Sequence, residues 1–172
     1  FQTSSPNPSA VDMGAAQPKL FTTWQAFADQ YGVEAYTGLA TYVNESGVEA
    51  STVCTPHPTH VDSAVSALES GMHLLIEKPL ASSLEHCDAM LEAAEKVNAK
   101  LGMCCQRRFY EPVIRVKEAV ESGKIGKPIL GMVTMLGWRD QDYYDSDSWR
   151  GSWSGEGGGV LVNQAVHQLD LL

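Results

Sequence analysis

The sequence predicts an α/β protein built around an open parallel sheet. Two observations lead to this prediction. Short β-branched or apolar runs alternate with longer segments in which apolar residues recur every three or four positions. The short runs also end at prolines or polar residues, as strands do between crossover helices. The resulting order of strand, helix, strand, helix, strand is typical of βαβ units, whose crossovers are right-handed.

Each element before residue 126 has its own start or stop signal. In chain order we predict a loop at 1–9, a strand tail at 10–13, a helix at 20–31 with Gly32 as C-cap, a buried strand from Val48, a helix with Thr59 as N-cap and Gly71 at its end, a strand at 73–79, a helix opened by a capping box of Ser82 and Glu85, a strand at 100–105, and a helix at 111–122 ending at Gly123.

The character of the chain changes after Gly126-Lys127-Pro128. The run ILGMVTMLGW, residues 129–138, predicts the first strand of a new unit, and a polar, aromatic loop follows it to Trp153. We therefore predict a domain boundary near residue 126, with one domain over 1–126 and the start of a second over 127–172.

Composition argues against several classes of protein. The formal net charge is −9, and Arg107-Arg108 is the only basic cluster, so binding to nucleic acid is not expected. No apolar run approaches the roughly 18 residues that a membrane helix needs. Four cysteines, two of them adjacent in an apolar run, suit a reducing, cytoplasmic compartment. The chain opens without Met and ends inside an apolar helical pattern, which predicts a piece of a longer polypeptide.

Polar residues follow two predicted strands at the point where each strand ends. One set is Cys54 to His60, and the other is Glu77-Lys78-Pro79. A charged pair directly after a buried run is costly unless it faces a cleft or a partner. A lysine held there can donate or accept a proton once its pKa is lowered. The alternative is an ordinary turn with a solvated lysine, and the motif alone does not decide between them.

A glycine-rich stretch near the end of the chain leads into a helical pattern with three polar residues in register. Asn163, His167 and Asp170 are spaced i, i+4 and i+7, which predicts one cleft-facing side of a helix. The alternative is a core histidine with satisfied hydrogen bonds. The glycines lack the G-x-G-x-x-G spacing and follow no clear βαβ strand, so we do not interpret them as a dinucleotide fingerprint.

Cys54, His57 and His60 have a spacing that could suit a metal ion. Two prolines lie between these residues, and no second Cys/His pair completes a tetrahedral set. We therefore expect no metal site.

Together these segments resemble the glucose–fructose oxidoreductase, inositol dehydrogenase and MocA-like (Gfo/Idh/MocA) family. The matching text is VCTPHPTHVDSAVSALESGMHLLIEKPLA, then QRRF, then WRGSWSGEGGGVLVNQAVHQLDLL. The resemblance implies a partial Rossmann-type parallel sheet over 1–126, followed by the start of an α/β domain with a large, mostly antiparallel sheet. It also implies a homo-oligomer.

The resemblance assigns a role to each matching residue. Lys78 and His167 would be catalytic and move the proton of the substrate hydroxyl. Many members have Asp where this chain has Asn163, and because Asn cannot take a proton, Asn163 would orient substrate or Lys78. The residues implied at the substrate are Asn163, Asp170, Trp149 and Arg150, and those implied at the cofactor are Thr55, Pro56, His60, Glu77, Lys78 and Arg107.

The implied activity is hydride transfer between a sugar, glycoside or polyol and NAD or NADP. Asp12 is the only local candidate for the acidic residue that selects NAD, so cofactor preference stays open. The glycine fingerprint is absent, so we expect it to precede residue 1 and expect residues 1–172 alone to bind cofactor poorly. Two other functions remain: an NAD-dependent glycosidase of the same family, and a non-catalytic sugar- or nucleotide-binding relative. The aromatic loop suits either sugar stacking or a packing contact.

Overall fold

The computed structural model describes residues 10–12 and 18–172. Its strands are β1 (Ala10–Asp12), β2 (Glu34–Tyr36), β3 (Ala50–Val53), β4 (His73–Ile76) and β5 (Leu101–Met103). Its α-helices are α1 (Pro18–Tyr31), α2 (Leu39–Glu45), α3 (His60–Glu69), α4 (Leu84–Val97), α5 (Glu111–Glu121), α6 (Gln141–Asp145), α7 (Trp153–Glu156), α8 (Val160–Asn163) and α9 (Val166–Asp170). The described side chains begin at residue 25, so that of Asp12, the candidate for selecting NAD, lies outside them.

The strands form two parallel sheets, which confirms the predicted parallel α/β fold. One sheet has the order β3-β4-β5 and the other pairs β1 with β2. Helix α3 joins β3 to β4, and helix α4 joins β4 to β5. These two connections are the predicted crossovers, and they bring the carboxyl ends of β3, β4 and β5 to one edge of the sheet.

The core lies between the β3-β4-β5 sheet and the helices that cross over it. Leu74 and Ile76 of β4 are buried, whereas their neighbours His73 and Leu75 are exposed, so this strand has one covered face. The core side chains contributed by the two crossover helices are Ala64, Ala67, Leu68, Met90, Ala93 and Ala94. Small alanines on both helices allow close packing, and burial of Leu68, Ile76 and Met90 supplies roughly 2 kcal/mol each.

The strand predicted from Val48 is shorter and less buried than expected. It begins at Ala50, and only Val53 in it is buried. The β-branched residues of this segment predicted a buried strand, but the described helices leave one face of β3 uncovered.

Two predicted caps were also wrong in detail. Thr59 precedes α3, but its hydroxyl donates to the Pro56 carbonyl at 2.8 Å and not to the helix, because a 3₁₀ turn over His57–Thr59 comes first. Ser83, one residue later than predicted, is the N-cap of α4 and accepts from the His86 N–H at 3.3 Å. The predicted capping box of Ser82 and Glu85 is therefore absent. Gly32, Gly71 and Gly123 do end their helices with positive φ.

The region after residue 126 departs most from prediction. Residues 129–138 form no strand, because no described segment lies beside them to complete a ladder of hydrogen bonds. The helix predicted around Asn163, His167 and Asp170 is two short helices, α8 and α9, separated at Gln164 and Ala165. The described residues contain no antiparallel pairing, so the large antiparallel sheet stays a prediction. Within the described part, no helix has the length and apolar character of a membrane span.

Candidate active site

The ends of β3 and β4 bring two of the predicted polar segments side by side. The Glu77 N–H donates to the Val53 carbonyl at 2.8 Å, and the Cys104 N–H donates to the Ile76 carbonyl at 2.8 Å. These bonds carry the parallel pairing just past the strands. Thr55 and Lys78 therefore follow neighbouring strand ends, the edge at which open α/β sheets bind ligands.

Lys78 connects this edge to the second half of the chain. Its Nζ donates to the backbone carbonyl of Asn163 at 2.8 Å and to the Asn163 side-chain oxygen Oδ1 at 3.3 Å. Lys78 is half-buried, and the peptide bond between Lys78 and Pro79 is cis. The predicted proximity of Lys78 and Asn163 is thus present as a direct contact.

Asn163 is itself held by Glu156. The Asn163 amide nitrogen Nδ2 donates to Glu156 Oε1, and both side chains are buried. Sequence reasoning missed Glu156 and treated it only as part of a glycine-rich loop. The available signal was a single charged residue inside the run Gly155-Glu156-Gly157-Gly158-Gly159.

His167 is buried beside Lys78 without a partner for one ring nitrogen. The residue is 8% exposed, and Nδ1 has no hydrogen-bond partner among the described residues. Burial lowers the pKa of His167 below its ordinary value of 6.5, and the positive charges of Lys78 and Arg107 lower it further. The imidazole is consequently neutral at pH 7 and able to accept a proton.

Lys78, Arg107, Asn163 and His167 line one cavity of about 370 Å³. Its remaining walls are Met135, Leu136, Gly137, Arg139, Tyr143, Gln164 and Gln168. Four of the residues predicted from the sequence therefore lie together. Lys78 follows β4 and Arg107 lies in the turn after β5, whereas Asn163 and His167 come from α8 and α9. The cavity offers cationic donors and a neutral imidazole, which suits a hydroxylated ligand.

Asp170 lies away from this cavity, contrary to its predicted place at the substrate. Both of its carboxylate oxygens accept from the Arg108 guanidinium, with Nε at 2.8 and 3.1 Å. The hydrogen bond from Arg108 lowers the pKa of Asp170. Asp170 pairs with Arg108 and does not line the cavity that Asn163 and His167 share.

Trp149 and Arg150, also predicted at the substrate, lie behind the cavity. The Arg150 guanidinium carbon is 4.6 Å from the Trp149 ring centre and 4.5 Å from that of Tyr143, and Nη1 donates to the Tyr143 hydroxyl at 2.8 Å. Arg150 therefore contacts Tyr143, which lines the cavity, and Trp149 packs against Arg150. Of the aromatic loop, Trp138, Tyr144 and Trp153 line a second cavity of about 380 Å³.

His60, predicted at the cofactor, is fully buried and acts on the backbone. Its Nδ1 lies 3.0 Å from the Pro79 carbonyl oxygen, and its Nε2 lies 2.7 Å from that of Thr55. A side chain enclosed in this way does not itself line a cleft. His60 instead joins the segment after β3 to the segment after β4.

The neighbouring His57 contacts the second half of the chain. Its Nδ1 donates to the Glu156 carbonyl at 2.9 Å, and burial lowers the pKa of His57. Three of the four ring nitrogens of His57 and His60 are therefore directed at carbonyl oxygens. More widely, the described residues hold no group of three His, Cys, Asp or Glu side chains placed to bind a metal.

Two buried hydroxyls lie in the segments that follow β3 and β4. The Thr55 hydroxyl is buried and unpartnered among the described residues, and so is that of Ser82. Buried hydroxyls are nearly always hydrogen-bonded, so these groups fit a polar ligand at this edge. Of the residues predicted at the cofactor, Thr55 and Pro56 follow β3, Glu77 follows β4 and Arg107 lies in the turn after β5. The sequence contains no G-x-G-x-x-G segment for the pyrophosphate.

Comparison with known proteins gives two adjacent family matches. Residues 14–104 match the family model described as an oxidoreductase family with an NAD-binding Rossmann fold. Residues 113–172 match the model of the GFO/IDH/MocA C-terminal domain.

Individual relatives agree with the family models. A 1-carboxy-3-chloro-3,4-dihydroxycyclohexa-1,5-diene dehydrogenase of Comamonas testosteroni is 34% identical over 125 residues, 73% of this chain and 31% of the relative. A myo-inositol 2-dehydrogenase of Thermotoga maritima is 31% identical over 144 residues, 83% of this chain and 41% of the relative. The solved WlbA dehydrogenase from Bordetella pertussis, in complex with NADH and UDP-GlcNAcA, has a TM-score of 0.85 at 30% identity over 94% of this chain and 47% of that one.

This chain spans less than half the length of each of these three proteins. The family models nevertheless match most of it, in the order in which its two predicted domains occur. The parallel sheet, the lysine after β4 and the Gly-rich run before His167 agree with that match. The chain therefore belongs to the Gfo/Idh/MocA family of oxidoreductases, whose nucleotide-binding domain is an NAD-binding Rossmann fold.

Proposed function

We propose that this protein transfers hydride between a carbinol carbon of a sugar, glycoside or polyol and the nicotinamide of NAD or NADP. The observation that carries the proposal is the cavity shared by Lys78 and His167, next to the ends of β3 and β4. The relatives support the class of substrate, since one is named for myo-inositol and another was solved with NADH and a nucleotide-linked sugar acid.

Lys78 and His167 have complementary parts in this reaction. Nicotinamide, when bound, supplies the hydride acceptor. Lys78 Nζ already donates to two oxygens of Asn163, so it can also donate to the substrate oxygen and favour its loss of a proton. His167, whose lowered pKa keeps it neutral and which lines the same cavity, is the proposed acceptor of that proton. The carbon then loses its hydride and the carbonyl forms.

Asn163 has a positioning part in this scheme. An amide takes no proton at neutral pH, so the proton relay cannot pass through it. Its two oxygens instead fix Lys78 Nζ towards the cavity. The Arg107 guanidinium, on the same cavity, would hold a phosphate, carboxylate or hydroxyl of the bound molecules.

Thr55, Pro56 and Glu77 are the residues that we propose at the nicotinamide and its ribose. They occupy the loops after β3 and β4, and the Thr55 hydroxyl lacks a protein partner in the described part of the chain. His60 would act here indirectly, by holding together the loops that carry the Thr55 and Pro79 carbonyl groups.

The test is an assay of the full open reading frame that encodes these residues. Reduction of NAD and NADP is followed by nicotinamide absorbance with inositols, free sugars, glycosides and sugar acids. We expect sustained reduction with at least one class, and a loss of about 100-fold or more in kcat/KM for Lys78→Ala. Lys117→Ala is the matched control, because this exposed lysine pairs with Glu121 on α5 and does not line the cavity.

Two results would contradict the proposal. Release of an aglycone without net reduction would identify the redox glycosidase. A second set of results would favour the non-catalytic relative. In that case cofactor binding is intact, no compound of the panel turns over, and Lys78→Ala leaves the affinity for any bound sugar unchanged.

A further inference from the structure

Glu156 is a buried carboxylate that the reaction scheme above does not use. It is 5% exposed, and its Oε1 accepts from Asn163 Nδ2. Burying a carboxylate is costly unless hydrogen bonds or opposite charge compensate. A costly side chain kept beside Asn163, which in turn contacts Lys78, indicates a specific role.

The backbone on both sides of Glu156 is fixed by close contacts. A Cβ on Gly155 would lie 2.2 Å from the Trp149 carbonyl oxygen, and one on Gly157 would lie 2.5 Å from Ser82 Oγ. Gly157 also has a φ of +73°, which favours glycine. The Glu156 carbonyl accepts from His57 Nδ1 at 2.9 Å. These contacts hold Glu156 at a set position relative to the loop after β3.

Glu156 determines which way the Asn163 amide faces. The amide nitrogen Nδ2 donates to Glu156 Oε1, so it is the end of the amide that faces this carboxyl group. The amide oxygen Oδ1 then faces Lys78 Nζ, at 3.3 Å. A turned amide would place two donors against each other, and Lys78 would lose one of the two oxygens that hold it.

We propose that Glu156 is a positioning residue for the catalytic lysine and acts through Asn163. The inference rests on the proposed function, because Lys78 matters only if it serves the reaction. Glu156 itself touches neither Lys78 nor the transferred proton. Removing the Glu156 side chain therefore changes the position of Lys78 but leaves both proton-transferring residues, Lys78 and His167, in the protein.

The first experiment compares two substitutions of Glu156 in the full open reading frame. Glu156→Ala leaves Asn163 Nδ2 without its partner, and we expect kcat to fall about 10- to 100-fold, the usual cost of a small misplacement of a catalytic group. The Kd for NADH should change less than threefold. Glu156→Gln keeps an oxygen that can accept from Nδ2 and should retain most of kcat. Glu121→Ala, an exposed carboxylate on α5, is the control.

A double substitution separates positioning from a general structural role. N163D places a carboxylate against the Glu156 carboxylate, and the repulsion should lower kcat. In the pair N163D/E156Q, the Gln amide can donate to the new carboxylate, and we expect kcat to recover about tenfold over N163D alone. Independent structural defects would add and give no recovery.

The reactivity of Lys78 gives a readout that does not depend on turnover. Competitive labelling with an amine reagent, followed by mass spectrometry, should show faster modification of Lys78 in Glu156→Ala than in the unsubstituted protein or Glu156→Gln. If no substrate turns over but the labelling differs, the proposed function fails while the positioning role stands. If the protein turns over, Lys78→Ala is inactive, and Glu156→Ala matches the unsubstituted protein in kcat and labelling, the positioning role is overturned.

Discussion

At the scale of single residues, burial sets the protonation state that His167 offers to substrate. Its pKa lies below 6.5, so the ring is neutral at pH 7 and becomes charged only as the pH falls through that lowered value. The neutral form accepts the hydroxyl proton in the oxidation, whereas the charged form donates it in the reverse reduction. The two directions should therefore respond oppositely to acid.

This reasoning predicts the pH profile of the oxidation. We expect kcat/KM to be level above about pH 7 and to fall on the acid side, with its midpoint below 6.5. His167→Gln should lower the plateau about 100-fold and remove that limb. His73→Gln, at an exposed position on β4, should leave the profile in place. An unchanged acid limb in His167→Gln would assign it to another group, of which His57 is the candidate with a lowered pKa.

Residue spacing singled out polar side chains but did not predict their partners. The family resemblance placed Lys78 with Asn163 and His167, and all three line one cavity. Asp170 was misplaced, since the i, i+7 argument assumes an unbroken helix, and the chain breaks at Gln164. Glu156 was missed because its partners, Asn163 and His57, are set by packing between distant segments.

At the scale of elements, α7 and the turn that follows it depend on glycine at some positions and not at others. Gly155 approaches the Trp149 backbone too closely for any side chain, whereas Gly159 has open space around it and a φ of −88°. The same residue type therefore has different importance four positions apart.

Substitution by alanine should distinguish these two glycines. Gly155→Ala must displace the loop that carries Glu156, and we expect kcat/KM to fall at least tenfold with a loss of about 1–3 kcal/mol in the free energy of unfolding. Gly159→Ala should change neither quantity appreciably. Steady-state kinetics and urea denaturation of both variants test this. Equal effects at the two positions would show that the contact with Trp149 is unimportant.

The crossover elements could be predicted from sequence because their signals are short-range. The apolar spacing of α3 and α4 and the run of β4 each specify an element within a dozen residues. The 129–138 segment could not be predicted in the same way, because a strand is stable only beside another strand. Its apolar residues predicted the strand but not the presence of a neighbour.

At the scale of the whole molecule, the described chain leaves a large apolar surface uncovered after α5. Ile129 is 96% exposed and Leu136 is 94% exposed, with Leu130, Met132 and Trp138 exposed between and beside them. A continuous apolar segment of this kind normally lies in an interface. We propose that it packs in the antiparallel sheet and the oligomer that the family resemblance implies.

The isolated 172-residue chain should consequently self-associate. We expect sedimentation velocity to show oligomers at micromolar concentration, and the double substitution Ile129→Ser with Leu136→Ser to shift the chain towards monomer. Leu84→Ser, at an exposed leucine on α4, should have no such effect. Identical sedimentation of all three chains would exclude the 129–138 segment as the contact.

The bonds that complete the site also determine when it forms. Lys78 meets Asn163 across 85 residues of chain, and His57 meets Glu156 across 99. Closing such long loops costs more entropy than closing a βα unit, so the local crossovers form first. During synthesis at about 5–20 residues per second, Lys78 leaves the ribosome several seconds before its partner exists. Catalytic competence is therefore a late event in folding and reports that the two halves have docked.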